Sequence, residues 1–267
     1  MKHVKLALTL AAGVAFGLVG ATPASADFVT DFEAPDYVSG GLVGQDGWAG
    51  GTAPTVGTAA EIAAELTAAG LTSTGAVHSG NQAVLVSSTG GSSSTVRPIA
   101  GTAGASVASL EFWARPLTPG DPAGNIGANL GNMFTTMENS TGQRAAAARF
   151  GATVTEGQIT STSIDFFSSG LGWVSTGIAW QADTWYNIKM VADYITKTYD
   201  GYVDGVLYAD DVPFYTSNSD ELTQMRFFRG SGQAGQIVDD ITAVPEPASL
   251  AVLATVGVGL LGRRRLA

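Results

Sequence analysis

The sequence predicts an all-β fold, a two-sheet antiparallel jelly-roll sandwich with one short helix, and three observations predict it. Short runs alternate apolar and polar residues, Gly, Ser, Thr and Ala fill the stretches between them, and a single internal segment has helical spacing. Period-2 alternation marks half-buried strands, and many short strands with Gly-rich turns indicate an antiparallel sandwich. No repeat of fixed period is present.

The helix comes first along the body. "TAAEIAAEL" begins at Thr58 as a possible N-cap with Glu61 three residues on, a capping box. Ile62 and Leu66 share one face and Gly70 is a plausible stop at C′. At about three turns it is too short to stand alone, so it reads as a lid on the sandwich. "SLEFWARP" puts Leu110, Phe112 and Ala114 on one face, with Glu111, Trp113 and Arg115 on the other. "WYNIKMVADY" does the same with Tyr186, Ile188, Met190, Ala192 and Tyr194. "TYDGYVDGVLYAD" carries Asp204-Gly205 between apolar runs, a two-residue hairpin signal. "QIVDDITAV" closes the body as a strand, with Ile237, Asp239, Ile241 and Ala243 expected on one face.

The ends are of a different kind. Lys2, His3 and Lys5 precede an apolar run, and Ala24-Ser25-Ala26 forms a small-residue exit before Asp27. Those parts in that order make a secretory signal peptide over residues 1–26, with Ala24 and Ala26 at the cleavage site. Residues 248–262 form a second apolar run of 15 residues. As a helix it would reach about 22 Å at about 1.5 Å per residue, short of the roughly 30 Å hydrocarbon core. Arg263, Arg264 and Arg265 follow it and would snorkel to headgroups on the cytoplasmic side. Length alone leaves a membrane anchor and a core helix both open.

Val244, Pro245, Glu246 and Pro247, then the apolar run and the Arg263–Arg265 cluster, together resemble the PEP-CTERM sorting signal of Gram-negative bacteria. The resemblance covers about the last 24 residues, 244–267. It implies a C-terminal transmembrane helix serving as a temporary inner-membrane anchor. It also implies an exosortase-type membrane protease as partner, cutting near the Pro-Glu-Pro. Two prolines around Glu246 cannot continue a helix, so the hinge would be extended and open to that protease.

Between these ends lies a body over residues 27–243. Without Lys2, Lys5, Glu246 and the three terminal arginines, the chain keeps 22 acidic and 8 basic residues, a net charge of −14. Such a surface repels phosphate backbones, so nucleic acid is excluded as an expected partner. There is no cysteine. An exported body without disulfides depends on its core, or on bound metal.

"TWYNIKMVADYITKTYDGYVDGVLY" resembles the concanavalin A-like lectin/glucanase sandwiches, including laminin G-like domains, where a "W-Y-x-I-K" strand leads into a "Y-x-x-Y-V-D-G" hairpin. "DFEAPDYVSGGLVGQDGW" looks like the opening strand and loop of such domains in other PEP-CTERM proteins. The motifs are loose, and a fold does not give a function.

The residue inventory excludes much chemistry. His78 is the one histidine of the body, so a zinc site built on several histidines and a Cys–His pair are both impossible. His78 in "GAVHSGNQAVLV" reads as a lone surface histidine at a strand edge, and no G-x-S-x-G elbow accompanies it. The Glu-x-Asp-x-Glu run of glucanases with this fold is missing, so no catalytic residue is assigned. Two constellations remain. Asp31, Glu33 and Asp240 lie on first and last strands expected side by side, and would share a structural Ca²⁺ or else be solvated edge carboxylates. Among five tryptophans, Trp113 would line an outer sheet and Trp173, in the Gly-rich "SSGLGWVSTG", would stack on a sugar from a loop; both would otherwise be packing.

The sequence therefore reads as a Sec-exported cell-surface or matrix protein whose sandwich binds exopolysaccharide without cutting it. The alternatives are a structural or adhesive matrix protein, or a glycan lyase or hydrolase. Mass spectrometry of the exported protein is expected to find Asp27 as the mature N-terminus. A chain that keeps residues 1–26 would overturn the reading of the leader.

Overall fold

The computed structural model describes residues 28–51, 54–71, 73–86, 93–100, 102, 104–117, 133–155, 158–229 and 235–246. The expected signal peptide with Ala24 and Ala26, the second proline Pro247, the expected transmembrane helix and Arg263, Arg264 and Arg265 lie outside them.

The described elements run β1 (Phe28–Thr30), β2 (Gly40–Gly41), β3 (Ala49–Gly50), β4 (Pro54–Thr58), α1 (Ala59–Ala68), β5 (Gln82–Val86), β6 (Ser93–Pro98), β7 (Val107–Pro116) and β8 (Met133–Glu138). They continue β9 (Arg144–Thr155), β10 (Gln158–Ser168), β11 (Gly172–Ser175), β12 (Tyr186–Asp193), β13 (Thr198–Val203), β14 (Val206–Pro213), β15 (Gln224–Arg229) and β16 (Gln236–Pro245). All pairings are antiparallel. A nine-stranded sheet has the order β14-β13-β12-β7-β16-β5-β4-β2, with β1 on β16, and a seven-stranded sheet has the order β11-β10-β9-β8-β15-β6-β3. This is the all-β sandwich that the alternation predicts.

The inner faces make the core. From the nine-stranded sheet come Leu110, Phe112, Ala114, Ile188, Met190, Ala192 and Val203; from the seven-stranded sheet come Met137, Phe150, Ile164, Phe166, Met225 and Phe227. Trp48 lies in the same core, stacked on Phe227 with centroids 5.1 Å apart. Removal of these side chains from water is the main term holding the sheets together. The first and last strands do pair, Phe28 with Ala243 and Thr30 with Ile241.

Local signals are realised as written. Thr58 caps α1 with the full reciprocal capping box to Glu61, and Gly70 follows at φ 73°. Asp204 and Gly205 have φ 50° and 76°, the two positive values a type I′ turn needs between β13 and β14. Ile62 and Leu66 pack with Leu85 and Ile237 on the outer face of the nine-stranded sheet, so α1 is the expected lid.

Strand β16 departs from simple alternation. Its register with β7 shifts between Asp239 and Thr242, and Asp240 sits at φ 47°. Ile237 therefore joins the outer cluster under α1, while Ile241 and Ala243 face the core. The expected single face of Ile237, Asp239, Ile241 and Ala243 is split by a β-bulge, whose extra residue turns the later part of the strand over.

Close packing between the sheets is tightest where β13 crosses Phe166. A Cβ at Gly201 would lie 2.7 Å from the Phe166 ring, which is itself fully buried. Gly201→Ala is expected to lower unfolding free energy by about 1–3 kcal/mol in chemical denaturation, as overpacked cores do. An unchanged midpoint would show that β13 has room to move.

Candidate functional site

The bulge in β16 builds one side-chain cluster on the outer face of the nine-stranded sheet. Asp239 and Asp240 are adjacent, yet both reach the segment that joins α1 to β5. Asp239 is fully buried and its Oδ2 accepts from the backbone N–H of His78 at 3.0 Å and Ser79 at 3.2 Å. Asp240 holds His78 Nδ1 at 2.6 Å and accepts from Ser79 Oγ at 2.7 Å. The His78 ring stacks on Trp113 with centroids 3.9 Å apart, and meets Trp185 edge-on at 5.5 Å. His78 is thus no lone surface histidine: it is a half-buried member of a His–Asp pair, with its Nε2 hydrogen-bonded to no described residue. Burial pushes the Asp239 carboxyl up to about 7, the Asp240 charge adds to this, and the backbone donors of Ser79, His78 and Asp240 act against it.

The expected calcium ligands do not converge. Glu33 Oε1 accepts from the N–H groups of Asn81 and Gln82 at 2.5 and 2.7 Å, and Asp31 accepts from the N–H of Glu33 at 3.1 Å. Asp240 is occupied by His78 and Ser79. Glu33 and Asp240 instead hold the same 78–82 turn from two sides, and no group of three or more His, Asp or Glu among the described residues is arranged for a metal ion. The strands pair as expected, but backbone N–H groups take oxygens of Glu33 and Asp31, and the His78 and Ser79 side chains take those of Asp240.

Of the Pro-Glu-Pro segment, Pro245 and Glu246 lie within the described residues, and Pro247 lies outside them. Val244 and Pro245 belong to β16, opposite Ser109 and Ala108, and Glu246 accepts from Ser109 Oγ at 2.8 Å with Lys189 Nζ 3.4 Å away. The strand's last pairs extend into the motif, because β7 offers a partner that far.

The outer face of the seven-stranded sheet carries a second cluster, and here the aromatics gather. One row runs Ser175–Asp165–Arg149–Phe134–Phe228–Ser94 across five strand pairings. Trp173 stands opposite Phe167 in edge strand β11, not in a loop. Its ring meets Phe167 at 5.2 Å and Phe134 at 5.8 Å; Phe134 stacks on Phe228 at 4.7 Å and Phe167 on Tyr215 at 3.8 Å. The result is a continuous aromatic band in which Trp173, Phe167, Tyr215 and Phe228 are all partly exposed.

Two guanidinium groups, Arg149 and Arg144, lie against rings of this band, and Arg226 stands on the same face paired with Glu138. Arg149 lies 4.3 Å from the Trp173 ring and bonds Asp165 at 2.8 Å. Arg226 bonds both oxygens of Glu138 at 2.9 Å, and Thr136 Oγ1 adds a bond at 2.7 Å. Burial acts to raise the Glu138 carboxyl, but the bonds from Arg226 and Thr136 outweigh it and hold it below the usual carboxylate range. Arg144 lies between Phe134 and Tyr215, 5.2 and 5.1 Å from their centroids. Trp113 and Trp173 therefore belong to opposite outer faces, and only Trp173 is in an open aromatic surface.

No known protein family matches the chain, and no curated protein matches it. Among solved structures it is similar to the binding domain of botulinum neurotoxin serotype G, at 11% identity over 88% of this chain and 51% of that one, with a TM-score of 0.46. It is similar to a sialidase at 10% identity, covering 61% of this chain and 15% of that chain, with a TM-score of 0.43. A galectin of Caenorhabditis elegans is matched at 16% identity over 55% of this chain and 88% of that one, with a TM-score of 0.33. The chain thus spans a small part of the sialidase and about half of the toxin domain. At these identities the likeness is one of sandwich architecture.

Chemically, the seven-stranded face presents aromatic rings beside paired carboxylates and guanidinium groups. Its buried carboxylates stand well apart: Phe134 shares a row with Asp165, and Glu138 stands four residues further along β8. At about 3.3 Å per residue that is about 13 Å along the strands, beyond the roughly 5–9.5 Å that glycosidases use. Each is also pinned by its own arginine. Sequence reasoning found Trp173 but missed Phe134, Phe167, Tyr215 and the arginines. They stand in β8, β9, β10, β15 and the segment after β14, and no single segment states the strand order that joins them.

The raised Asp239 carboxyl has a pH consequence of definite sign. Between about pH 4 and pH 7 the native state holds a proton that the unfolded chain has released, so stability falls as pH rises through that window. Asp239→Asn is expected to flatten this decline in denaturant midpoints measured from pH 4 to pH 8. A variant with the wild-type slope would place the titration elsewhere.

Proposed function

We propose that the chain is an exported protein whose sandwich binds polysaccharide, without cleaving it, on the outer face of the seven-stranded sheet. The observation that carries this is the band of partly exposed Trp173, Phe167, Tyr215 and Phe228, joined through buried Phe134, with the Arg149 and Arg144 guanidinium groups against its rings. Flat apolar rings suit the C–H faces of sugars, and nearby fixed polar groups suit their hydroxyls. A soluble body has little reason to leave so many rings together at a surface unless something covers them. The leader of residues 1–26 and the segment 244–267 support Sec export, a temporary inner-membrane anchor and release by an exosortase-type protease to the cell surface or matrix.

A second reading, glycan cleavage, is favoured by one observation: His78 is oriented by Asp240 and keeps Nε2 without a partner among the described residues. Release of reducing ends from polysaccharide by the wild type and not by His78→Gln would establish it.

For the binding reading, affinity electrophoresis of the exported protein in polysaccharide gels is the test. Trp173→Ala is expected to weaken binding about tenfold or more, the equivalent of about 1.4 kcal/mol, with an unchanged far-UV spectrum. Retardation equal to the wild type would remove the aromatic band from the site.

A further inference from the structure

We infer that Arg144 reads a carboxylate, so that the polysaccharide bound on this face is an acidic one carrying uronate groups. The inference rests on the binding reading above and goes beyond it by naming the chemical class.

The argument begins with charge. Among the charged side chains of this face, Glu138 and Asp165 stand against Arg144, Arg149 and Arg226. Asp165 is paired with Arg149. Glu138 is satisfied without Arg144: Arg226 reaches both of its oxygens, with Nη2 at 2.8 Å, and Thr136 Oγ1 and Gln224 Nε2 complete the set at 2.7 and 2.9 Å. Arg144 touches Glu138 only through Nε at a long 3.3 Å. One cation is left over, in a body whose net charge is strongly negative.

Geometry then says where that cation points. Arg144 opens β9 beside the bulge at Met137 and Glu138, and its carbonyl is held by the N–H and Oγ1 of Thr216, both at 2.9 Å. Its guanidinium is braced by the Phe134 and Tyr215 rings. Its Nε is spent on Glu138, while Nη1 and Nη2 make no hydrogen bond to any described residue, and the side chain is 26% exposed. A guanidinium fixed at Nε and flanked by rings presents its two terminal nitrogens as a planar fork. That fork matches a carboxylate in two parallel bonds, a geometry that an ammonium group does not provide. The aromatic band continuing from Phe134 to Trp173 would then lie along the sugar rings that carry the carboxylate. Repulsion from the acidic body does not forbid this, because at physiological salt it is screened beyond about 8 Å.

The test uses the exported protein with polygalacturonate and alginate, each beside its carboxyl-reduced neutral form, measured by titration calorimetry. Wild type is expected to bind an acidic polymer at least tenfold more tightly than its reduced form. Arg144→Gln should lose that preference while keeping the weaker binding of the reduced polymer. Arg144→Lys should lose most of the preference, since charge remains and the fork does not. Because Arg226 still neutralises Glu138, both variants should keep their melting temperature; if Arg144→Gln does not fold, Arg144→Lys decides. Equal binding of acidic and reduced polymers, abolished by Trp173→Ala, would overturn the carboxylate reading and leave the polysaccharide reading standing. Binding of no polymer in either form would overturn both.

Discussion

Strand β16 lies between β5 and β7 and also carries β1, so the nine-stranded sheet closes only when the end of the body returns to its beginning. The pairs Phe28–Ala243 and Val84–Val238 join residues far apart in sequence, and no cysteine is available to hold them. Sheet closure therefore depends on apolar burial of Val238, Ile241 and Ala243 on one side and Ile237 on the other. The bulge at Asp240 lets one strand serve both clusters. It also brings two consecutive carboxylates onto the turn at 78–82, which Glu33 holds from the opposite side. Of the carboxylates expected to hold a metal ion, Glu33 thus accepts from backbone N–H groups of that turn and Asp240 from its side chains.

The two outer faces are built from different materials. On the nine-stranded sheet, α1 and the segment after it cover the strands, and His78 lies over Trp113. On the seven-stranded sheet, among the described residues, the outer face is made of side chains of the sheet itself together with Tyr215. Its two buried carboxylates would be costly alone; Glu138 is satisfied by Arg226, Thr136 and Gln224, while Asp165 has the Arg149 guanidinium on one oxygen. The Arg149 guanidinium that bonds Asp165 also lies over the Trp173 ring, and Arg144 lies against Phe134 and Tyr215. At Arg149, contact with a ring and pairing of a buried charge are thus one arrangement.

Where the structure followed the sequence, the signal was local. Thr58 and Glu61 are three residues apart, Asp204 and Gly205 are neighbours, and the apolar residues of "WYNIKMVADY" recur every second position. Each states its own geometry without reference to the rest of the chain. Where it departed, the partner was distant. His78 read as a lone surface residue because Asp240 and Trp113 are far from it in sequence, and nothing near His78 announces them. Trp173 read as a loop residue because its Gly-rich neighbours hide a four-residue edge strand that exists only through pairing with β10.

The amino-acid sequence by itself determined the all-β class, the capped helix, the type I′ hairpin and the two candidate tryptophans, since period and turn chemistry are properties of a few neighbouring residues. Tertiary structure decided which tryptophan is covered and which lies in an open band, where the carboxylates are spent, and that a bulge divides the last strand. Those outcomes depend on strand order and register, which place residues from β8, β10, β11 and β15 in one surface. No short stretch of chain contains that information, because each strand's neighbour is chosen by the packing of the whole sandwich.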